Sequence, residues 1–470
     1  MVLAAVVASV VVVPAVLPVS AVVPPPCTWC AGGEYHELAP SRIFDTRDRP
    51  GKPPINDVAP PGAKPLKSAT PGVNPTFDIQ LLDLGGIPPI GTDVLAVAIN
   101  ITVVGPTQSG FLGAYPTGSP SSSSLVNFLA GQTVPNLAIV RPGLDGKLTF
   151  FLKGLGDGPG TAHVLVDVFG WWSTSTYAAT GTVNDGDERG SRLELSATGN
   201  PGRILDTQSP SNVMGPDSYR EVLIRGAVIQ GTATEVVPPT TDVVGVLLNV
   251  TAVNPTNFGY ISVVPELPAV KPATSNLNLA SGQTKSNLVI VPVGADGKIR
   301  VYNSAGSTHV LLDVMGVLRA NRPETTRAGR VVPLTSPYRV LDTRQAAFGA
   351  VPLGPAQAED WSFANFAASV NIGGVPVGNQ GALLGNLTNA KLTRQYPTIG
   401  VTPGYLSLCR GVCPLTPQGV PTYSNLTSTE AGPLANLAIV AYGPNNAVRV
   451  FNARGYAHYV LDVSAVVLAD

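Results

Sequence analysis

The chain has 470 residues, more than one hydrophobic core usually serves, so two to four domains are expected. Only 13% of the residues are charged, the formal net charge is −1, and no run of Lys or Arg occurs. Because nucleic acids and anionic membrane surfaces are bound by clustered cations, this composition argues against both as partners. The 50 Gly and 45 Pro residues, with prominent Val, Thr, Leu and Asn, favour many short strands joined by turns.

The N-terminus predicts export. Residues 1–21 are almost wholly apolar and end in the small residues Ser20 and Ala21, which is typical of a cleaved signal peptide. A membrane anchor spanning 2–23 is the alternative, although Pro14 and Pro18 favour cleavage. We therefore expect a secreted or cell-surface protein that has no membrane contact after cleavage.

The four cysteines form two close pairs, Cys27 with Cys30 and Cys409 with Cys413. In an exported protein two disulfides are the default, and local pairing is favoured over a long-range link. A redox motif or a four-thiolate zinc site would also suit the first spacing. However, no βαβ context surrounds it, and the second pair is spaced Cx3C. We predict structural disulfides and no metal.

One pattern occurs three times along the chain. Each copy opens with Arg-x-x-Asp-Thr, continues with an Asn-x-Thr triplet and an Asn-Leu pair, and closes with His-x3-Asp-Val. Four landmarks in the same order three times indicate tandem repeats. The landmark residues are Arg42, Asp45, Asn100, Asn136, His163 and Asp167 in the first copy; Arg203, Asp206, Asn249, Asn287, His309 and Asp313 in the second; and Arg339, Asp342, Asn386, Asn436, His458 and Asp462 in the third.

Within each copy, largely β-branched runs alternate with turns, as where 287–293 and 298–302 meet across Asp296-Gly297. This predicts an all-β fold of three tandem β-sandwich modules, jelly-roll or immunoglobulin-like. The predicted boundaries are a Pro-rich, Cys-bearing lead at 22–35, modules at 36–172, 193–319 and 331–470, linkers at 173–192 and 320–330, and an insertion at 390–421 in the third module.

The opening Arg-[IV]-[FL]-Asp-Thr-[RQ], the Gly-Gln-Thr-x2-Asn-Leu stretch of copies one and two and the closing His-x3-Asp-Val-x-Gly resemble a known repeat. It occurs in secreted and surface proteins of high-GC Gram-positive bacteria. The resemblance covers nearly all of 38–470, although the third copy has Ser464-Ala465 where the others reach the closing Gly. It implies extracellular placement and a β-sandwich-like module, and it assigns no activity.

The repeated His, Asp and Arg residues are the main candidates for chemistry. The closing His and Asp are four residues apart, so in a strand they point to the same face. If the first and last strands of a copy are neighbours, each copy holds one cluster of an Arg, two Asp and a His. Metal binding or a catalytic His–Asp dyad would use such residues. We favour a buried ion-pair network that fixes the strands, because all copies share the residues and no nucleophile follows the pattern.

Two further motifs remain ambiguous. The Asn-x-Thr triplets are either glycosylation acceptors or, as we favour within apolar strands, partners of neighbouring backbone groups. The pair Trp171-Trp172 occurs only in copy one; it forms an aromatic sugar-binding platform if exposed, or a plug between the first two copies if buried. We favour the plug.

Together these patterns predict a non-catalytic repeat protein without cofactors, extended as a rod. Its role would be adhesion, spacing, or binding to a glycan, the cell wall or another surface protein. The third-copy insertion is expected to carry recognition. The alternative is an extracellular hydrolase with a diverged site in one module.

Overall fold

The structure is a computed structural model. It describes residues 32–47, 62–67, 72–91, 94–174, 190–196, 199–208, 211–320, 326–363, 374–375, 377–390, 404–428 and 432–469. The predicted signal peptide, Cys27 and Cys30 lie outside the described residues, as does most of the predicted linker 173–192.

Strands account for nearly all regular structure in the described part of the chain. The first repeat contains β1 (Tyr35–Asp45), β2 (Lys64–Pro65), β3 (Thr76–Gln80), β4 (Val94–Val104), β5 (Gly110–Pro116), β6 (Val126–Phe128), β7 (Thr133–Val140), β8 (Lys147–Gly154) and β9 (Thr161–Ser173). The second contains β10 (Arg192–Leu195), β11 (Gly202–Asp206), β12 (Ser218–Leu223), β13 (Val243–Val253), β14 (Gly259–Val264), β15 (Leu277–Leu279), β16 (Lys285–Pro292), β17 (Lys298–Asn303) and β18 (His309–Arg319). The third contains β19 (Val331–Asp342), β20 (Gln357–Ser362), β21 (Gln380–Ala390), β22 (Gly404–Cys409), β23 (Leu426–Ser428), β24 (Leu434–Ala441), β25 (Ala447–Asn452) and β26 (His458–Leu468). Short 3-10 helices occupy Ala346–Phe348, Val377–Asn379 and Pro444–Asn446.

Each repeat forms two small antiparallel sheets with the same strand order. The inner sheets run β1-β9-β4-β7, β10-β18-β13-β16 and β19-β26-β21-β24, with β2 and β11 pairing with β9 and β18. The outer sheets run β3-β8-β5-β6, β12-β17-β14-β15 and β20-β25-β22-β23. A single pair, Lys285 with Ser428, joins the inner sheet of the second repeat to the outer sheet of the third.

The six sheets are arranged as the blades of a six-bladed β-propeller. The all-β class is therefore confirmed, whereas the expectation of three tandem β-sandwich modules, jelly-roll or immunoglobulin-like, is wrong. The predicted insertion 390–421 contains β22, which pairs with β25 just as β14 pairs with β17 in the second repeat.

The inner sheets explain why separate modules do not form. Along β4 every side chain from Val94 to Val103 is buried. Val97, Ile99, Ile101 and Val103 face the outer sheet of the same repeat, whereas Ala96 and Ala98 belong to a second apolar core shared by all three repeats. A sheet that is buried on both faces reads as a continuous apolar run. An extended rod would leave the second face of every inner sheet in water.

The shared core brings together equivalent residues of the three copies. Its members include Leu137, Ile139 and Trp172 from the first repeat, Leu288, Ile290 and Leu318 from the second, and Leu437, Ile439 and Val467 from the third. Near it, Glu34 accepts hydrogen bonds from Arg192 and Arg330, one at the start of each later repeat. The repeats thus form one closed body.

Candidate functional site

The repeated Arg and closing Asp form the same ion pair in every copy. Arg203 donates from Nε and Nη2 to the two carboxylate oxygens of Asp313, at 2.8 and 3.1 Å. Arg42 binds Asp167, and Arg339 binds Asp462, with the same bidentate geometry. The strand register produces the pairs, since each Arg lies directly opposite its Asp in neighbouring antiparallel strands. The closing carboxylates are all buried.

The opening Asp is held by its own Arg-x-x-Asp-Thr-Arg segment. In the third repeat Asp342 accepts hydrogen bonds from the Arg344 guanidinium at 2.7 Å and from Gln345 at 3.0 Å. Burial alone would raise the pKa of Asp342, but these bonds and the charge of Arg344 lower it to about 2. In the second repeat Gln208 stands in place of this arginine, and the carboxylate of Asp206 is more exposed than its counterparts in the other two repeats.

The repeated His binds the Thr of the opening motif, not an Asp. His309 Nδ1 lies 2.9 Å from the carbonyl oxygen of Thr207, so Nδ1 donates there. The Thr207 hydroxyl oxygen accepts from the backbone N–H of Val310 at 2.8 Å. His163 and Thr46 are arranged in the same way, and His458 Nδ1 lies 3.1 Å from the Thr343 hydroxyl. Among the hydrogen bonds of the described residues, Nδ1 of each repeated His is thus engaged by a Thr and not by the closing Asp.

These threonines are not among the residues predicted from the sequence, although each belongs to the repeated opening motif. Thr46, Thr207 and Thr343 tie the opening segment to the closing strand. The resulting clusters keep their acceptors occupied: within the described ranges, no group of three or more His, Cys, Asp or Glu residues is arranged to hold a metal ion.

The cluster of the second repeat also lies where this repeat meets the third. Asp313 accepts a 3.4 Å hydrogen bond from the backbone N–H of Ser424, a residue of the third repeat. Burial raises the pKa of the third-repeat Tyr405, and the charge of Arg203 opposes this rise. Burial alone would lower the pKa of Arg203, but Tyr405 is among the groups that raise it. At this interface the ion pair joins two repeats as well as two strands.

The landmark asparagines make the most extensive contacts between repeats. Asn287 Nδ2 donates to Asn100 Oδ1 at 3.1 Å, and the Leu137 N–H donates to Asn287 Oδ1 at 3.3 Å. Asn100 Nδ2 in turn donates to the Ser275 carbonyl oxygen at 3.0 Å. The first repeat is thus joined to the second by three buried hydrogen bonds.

The same three bonds recur at the other two junctions. Between the second and third repeats they involve Asn436, Asn249, the Leu288 N–H and the Ser424 carbonyl; between the third and first, they involve Asn136, Asn386, the Leu437 N–H and the Ser124 carbonyl. The network closes on itself in a ring.

The asparagines of the Asn-x-Thr triplets thus hydrogen-bond to backbone carbonyls, but those carbonyls belong to a different repeat. They are buried and not presented as glycosylation acceptors. The threonines of the triplets behave differently from the expectation. The hydroxyls of Thr102, Thr251 and Thr388 are buried and have no hydrogen-bond partner.

Trp171 and Trp172 are both buried, at 5% and 3% exposure. Trp171 stacks on His36 with ring centroids 4.2 Å apart, and Trp172 lies in the shared core against Tyr35. An aromatic platform for sugars needs exposed rings, so this pair does not provide one.

The late cysteines form a local disulfide, Cys409–Cys413. With Tyr423, Phe451 and Val420 they make a small apolar cluster on the outward face of the third outer sheet. The disulfide segment therefore covers this face.

The outward faces of the outer sheets carry aromatic side chains at equivalent positions. β5 and β8 carry Phe111 and Phe151, β14 and β17 carry Tyr260 and Tyr302, and β22 and β25 carry Tyr405 and Phe451. In the second repeat Tyr219 of β12 joins them, directly opposite Tyr302. These residues are not among those predicted from the sequence because the copies differ there, although Tyr260 and Tyr302 alternate with inward apolar residues as outward strand positions do.

The second-repeat face combines tyrosines with charged side chains. Tyr302 donates a 2.7 Å hydrogen bond to Asp217 Oδ1, and Lys271 Nζ lies 2.8 Å from Asp217 Oδ2. Burial and the bond to Asp217 raise the pKa of Tyr302, so this hydroxyl stays protonated at neutral pH. Tyr260 donates to the Pro272 carbonyl oxygen at 2.9 Å.

Comparisons with known proteins assign no family to the chain. No family model and no curated protein matches it. A tandem carbohydrate-binding module, CBM22-1–CBM22-2 of Xyn10C from Paenibacillus barcinonensis, aligns at 12% identity over 62% of this chain and 99% of its own, with a TM-score of 0.18. A triple jelly-roll protein of an archaeal virus aligns at 12% identity over 92% and 90%, with a TM-score of 0.16.

A third structure, the M60 catalytic domain of Clostridium perfringens ZmpB with its CBM51 domains, aligns at 9% identity over 93% of this chain and 39% of its own, with a TM-score of 0.17. TM-scores this low do not establish a shared fold, so no function is transferred from these proteins. Among the described residues, no helix is long and apolar enough to cross a membrane.

Proposed function

We propose that this chain is a secreted or cell-surface protein that binds glycans or cell-wall polysaccharide without catalysis, using the aromatic outward faces of its outer sheets. The observation that carries the proposal is the half-buried aromatic side chain at the same outward position of all three outer sheets, Phe111, Tyr260 and Tyr405. Aromatic rings offer flat apolar surfaces on which the C–H faces of a pyranose pack, and tyrosines add a hydrogen-bonding group.

The repeated polar residues support a non-catalytic role because they are already engaged. Each closing Asp is paired with its Arg, and each His Nδ1 is hydrogen-bonded to a Thr. A general base or nucleophile must instead reach a substrate. The scaffold interpretation of these residues therefore suits a binding protein better than a hydrolase.

Extracellular placement is part of the proposal. Disulfides such as Cys409–Cys413 persist in oxidising compartments, and the repeat resembles one of secreted and surface proteins. The apolar N-terminus fits a signal peptide.

The test is a glycan array combined with pull-down on insoluble cellulose, chitin and isolated Gram-positive cell walls, using the mature full chain. We expect retention on at least one polysaccharide and no release of sugar from it. A chain that is folded but retained by none of these would remove the binding function and leave a structural spacer.

A further inference from the structure

Three tyrosines from neighbouring strands form one patch on the second repeat. Tyr302 of β17 lies between Tyr219 of β12 and Tyr260 of β14, with ring centroids 4.6 and 6.0 Å away. Tyr302 is fully covered, whereas Tyr219 and Tyr260 are half-buried. The covered ring thus supports two rings that solvent reaches.

Polar groups able to contact a ligand surround this tyrosine patch. Asp217 accepts a hydrogen bond from the Tyr302 hydroxyl and forms an ion pair with Lys271. The side chains of Asp217 and Lys271 are 54% and 64% exposed. Both carry spare hydrogen-bonding capacity toward solvent, because a carboxylate accepts about four bonds and an ammonium donates three. Sugar hydroxyls both donate and accept, so this pair suits them.

The charges around the patch balance. Farther along the same face, Arg300 bridges Glu221 and Asp296, and Lys298 also pairs with Glu221. With Asp217 and Lys271 the face therefore carries equal numbers of acidic and basic side chains. A strongly charged polymer gains little net attraction from such a surface.

The other two repeats act as an internal control. At the position of Tyr219 they carry Thr76 and Ala358, each paired with the Phe that replaces Tyr302. Those repeats fold with the same strand order without the Tyr219 ring and without a hydroxyl at Tyr302. The architecture does not require these groups, so they serve the second repeat in another way.

In the third repeat the disulfide segment covers the equivalent outward face. There Phe451 packs in the apolar cluster with Cys409, Cys413 and Tyr423. No disulfide covers the tyrosine patch of the second repeat, whose Tyr219 and Tyr260 rings remain accessible.

From this juxtaposition we infer that Tyr219, Tyr260 and Tyr302, with Asp217 and Lys271, form the binding site for a neutral polysaccharide of pyranose units. The inference rests on the proposed function and deepens it, since it names the repeat, the residues and the ligand class. Two sugar rings stack on Tyr219 and Tyr260, and their hydroxyls bond to Asp217 and Lys271.

The experiment measures binding of the full chain to cellulose and chitin particles and to soluble cello- and chito-oligosaccharides, with polygalacturonate as the anionic probe. Tyr219→Ala and Tyr260→Ala are each expected to weaken binding about tenfold, typical for an aromatic residue at the centre of a binding site. Tyr456→Ala, which removes an exposed third-repeat tyrosine, is the matched control and should bind like wild type.

Tyr302→Phe guards against variants that fail to fold. It introduces the residue of the other two repeats and removes only the hydroxyl bonded to Asp217. We expect an unchanged melting temperature and several-fold weaker binding.

The outcomes separate the two proposals. If wild type binds a neutral polysaccharide and Tyr219→Ala and Tyr260→Ala bind equally well, this site is wrong while the proposed function stands. Binding to polygalacturonate alone overturns the neutral ligand class. If wild type is folded and binds none of these probes or cell walls, the proposed function fails and the site fails with it.

Discussion

The ion pair between Arg203 and Asp313 tests whether the repeated polar residues are scaffold. Asp313→Ala removes the acceptor of two hydrogen bonds from Arg203 and one from the Ser424 N–H of the next repeat. Removing one partner of a buried pair costs about 3–5 kcal/mol, because the other charge is stranded. The Arg203 side chain is 24% exposed and keeps Asp206 at 3.6 Å, so we expect the lower end, about 3 kcal/mol.

The assay is urea unfolding with linear extrapolation, followed by fluorescence and circular dichroism. The chain offers a matched control in Arg449 and Asp360, which are also bidentate but lie in solvent. Asp360→Ala should cost no more than about 1 kcal/mol. The double variant Arg203→Met/Asp313→Leu should be more stable than Asp313→Leu alone, because it strands no charge.

Equal unfolding free energies for Asp313→Ala and Asp360→Ala would refute the scaffold argument. The buried Asp would then contribute no more than a surface charge, and its presence in all three repeats would need a functional explanation.

Three further changes probe other parts of the fold. Asn287→Leu leaves several buried polar groups unpaired and should lower the free energy of unfolding by about 3 kcal/mol, measured in urea. The pKa of Asp342 is lowered to about 2 on folding, so its stabilisation is present above about pH 4 and is lost as the pH falls toward 2; Arg344→Leu should reduce this loss in acid unfolding curves. Replacing Cys409 and Cys413 by Ala should lower the free energy of unfolding by about 2 kcal/mol in thermal unfolding, the small value expected for a short loop.

Each change is paired with a second variant or condition. Asn212→Leu alters an exposed asparagine and should leave stability within about 0.5 kcal/mol of wild type. Arg47→Leu, at the matching position of the first repeat, should blunt the acid transition much as Arg344→Leu does. A reductant should lower the melting temperature of the double cysteine variant less than that of wild type. Loss of stability in Asn212→Leu equal to that in Asn287→Leu would contradict the role of the asparagine ring.

The sequence predicted what is local and repeated. Strand positions follow from alternating and continuous apolar runs, and the Arg–Asp pairs follow from antiparallel neighbours with fixed register. The spacing of His309 and Asp313 within one strand does not reveal Thr207, which follows β11 and lies at the His309 ring. Spacing within one strand does not report what lies across from it.

The closed arrangement of the three repeats could not be predicted from the sequence pattern. The continuous burial from Val94 to Val103 shows that both faces are covered, but not whether the second cover is a sheet of the same repeat or another repeat. The asparagines stood out in all copies, yet the bond between Asn287 and Asn100 joins residues of different repeats. Tyr219 could not be predicted from the repeat, because the other two copies carry Thr76 and Ala358 at its position.

The central claim is that the asparagine ring joins the three repeats into one cooperative body. Native-state hydrogen exchange at three backbone amides tests this claim most directly. The amides of Leu137, Leu288 and Leu437 each donate to an asparagine of another repeat. We predict that all three exchange only by global unfolding, with one shared opening free energy and one shared dependence on denaturant. Three different opening free energies, with one repeat exchanging while the others stay protected, would contradict the account.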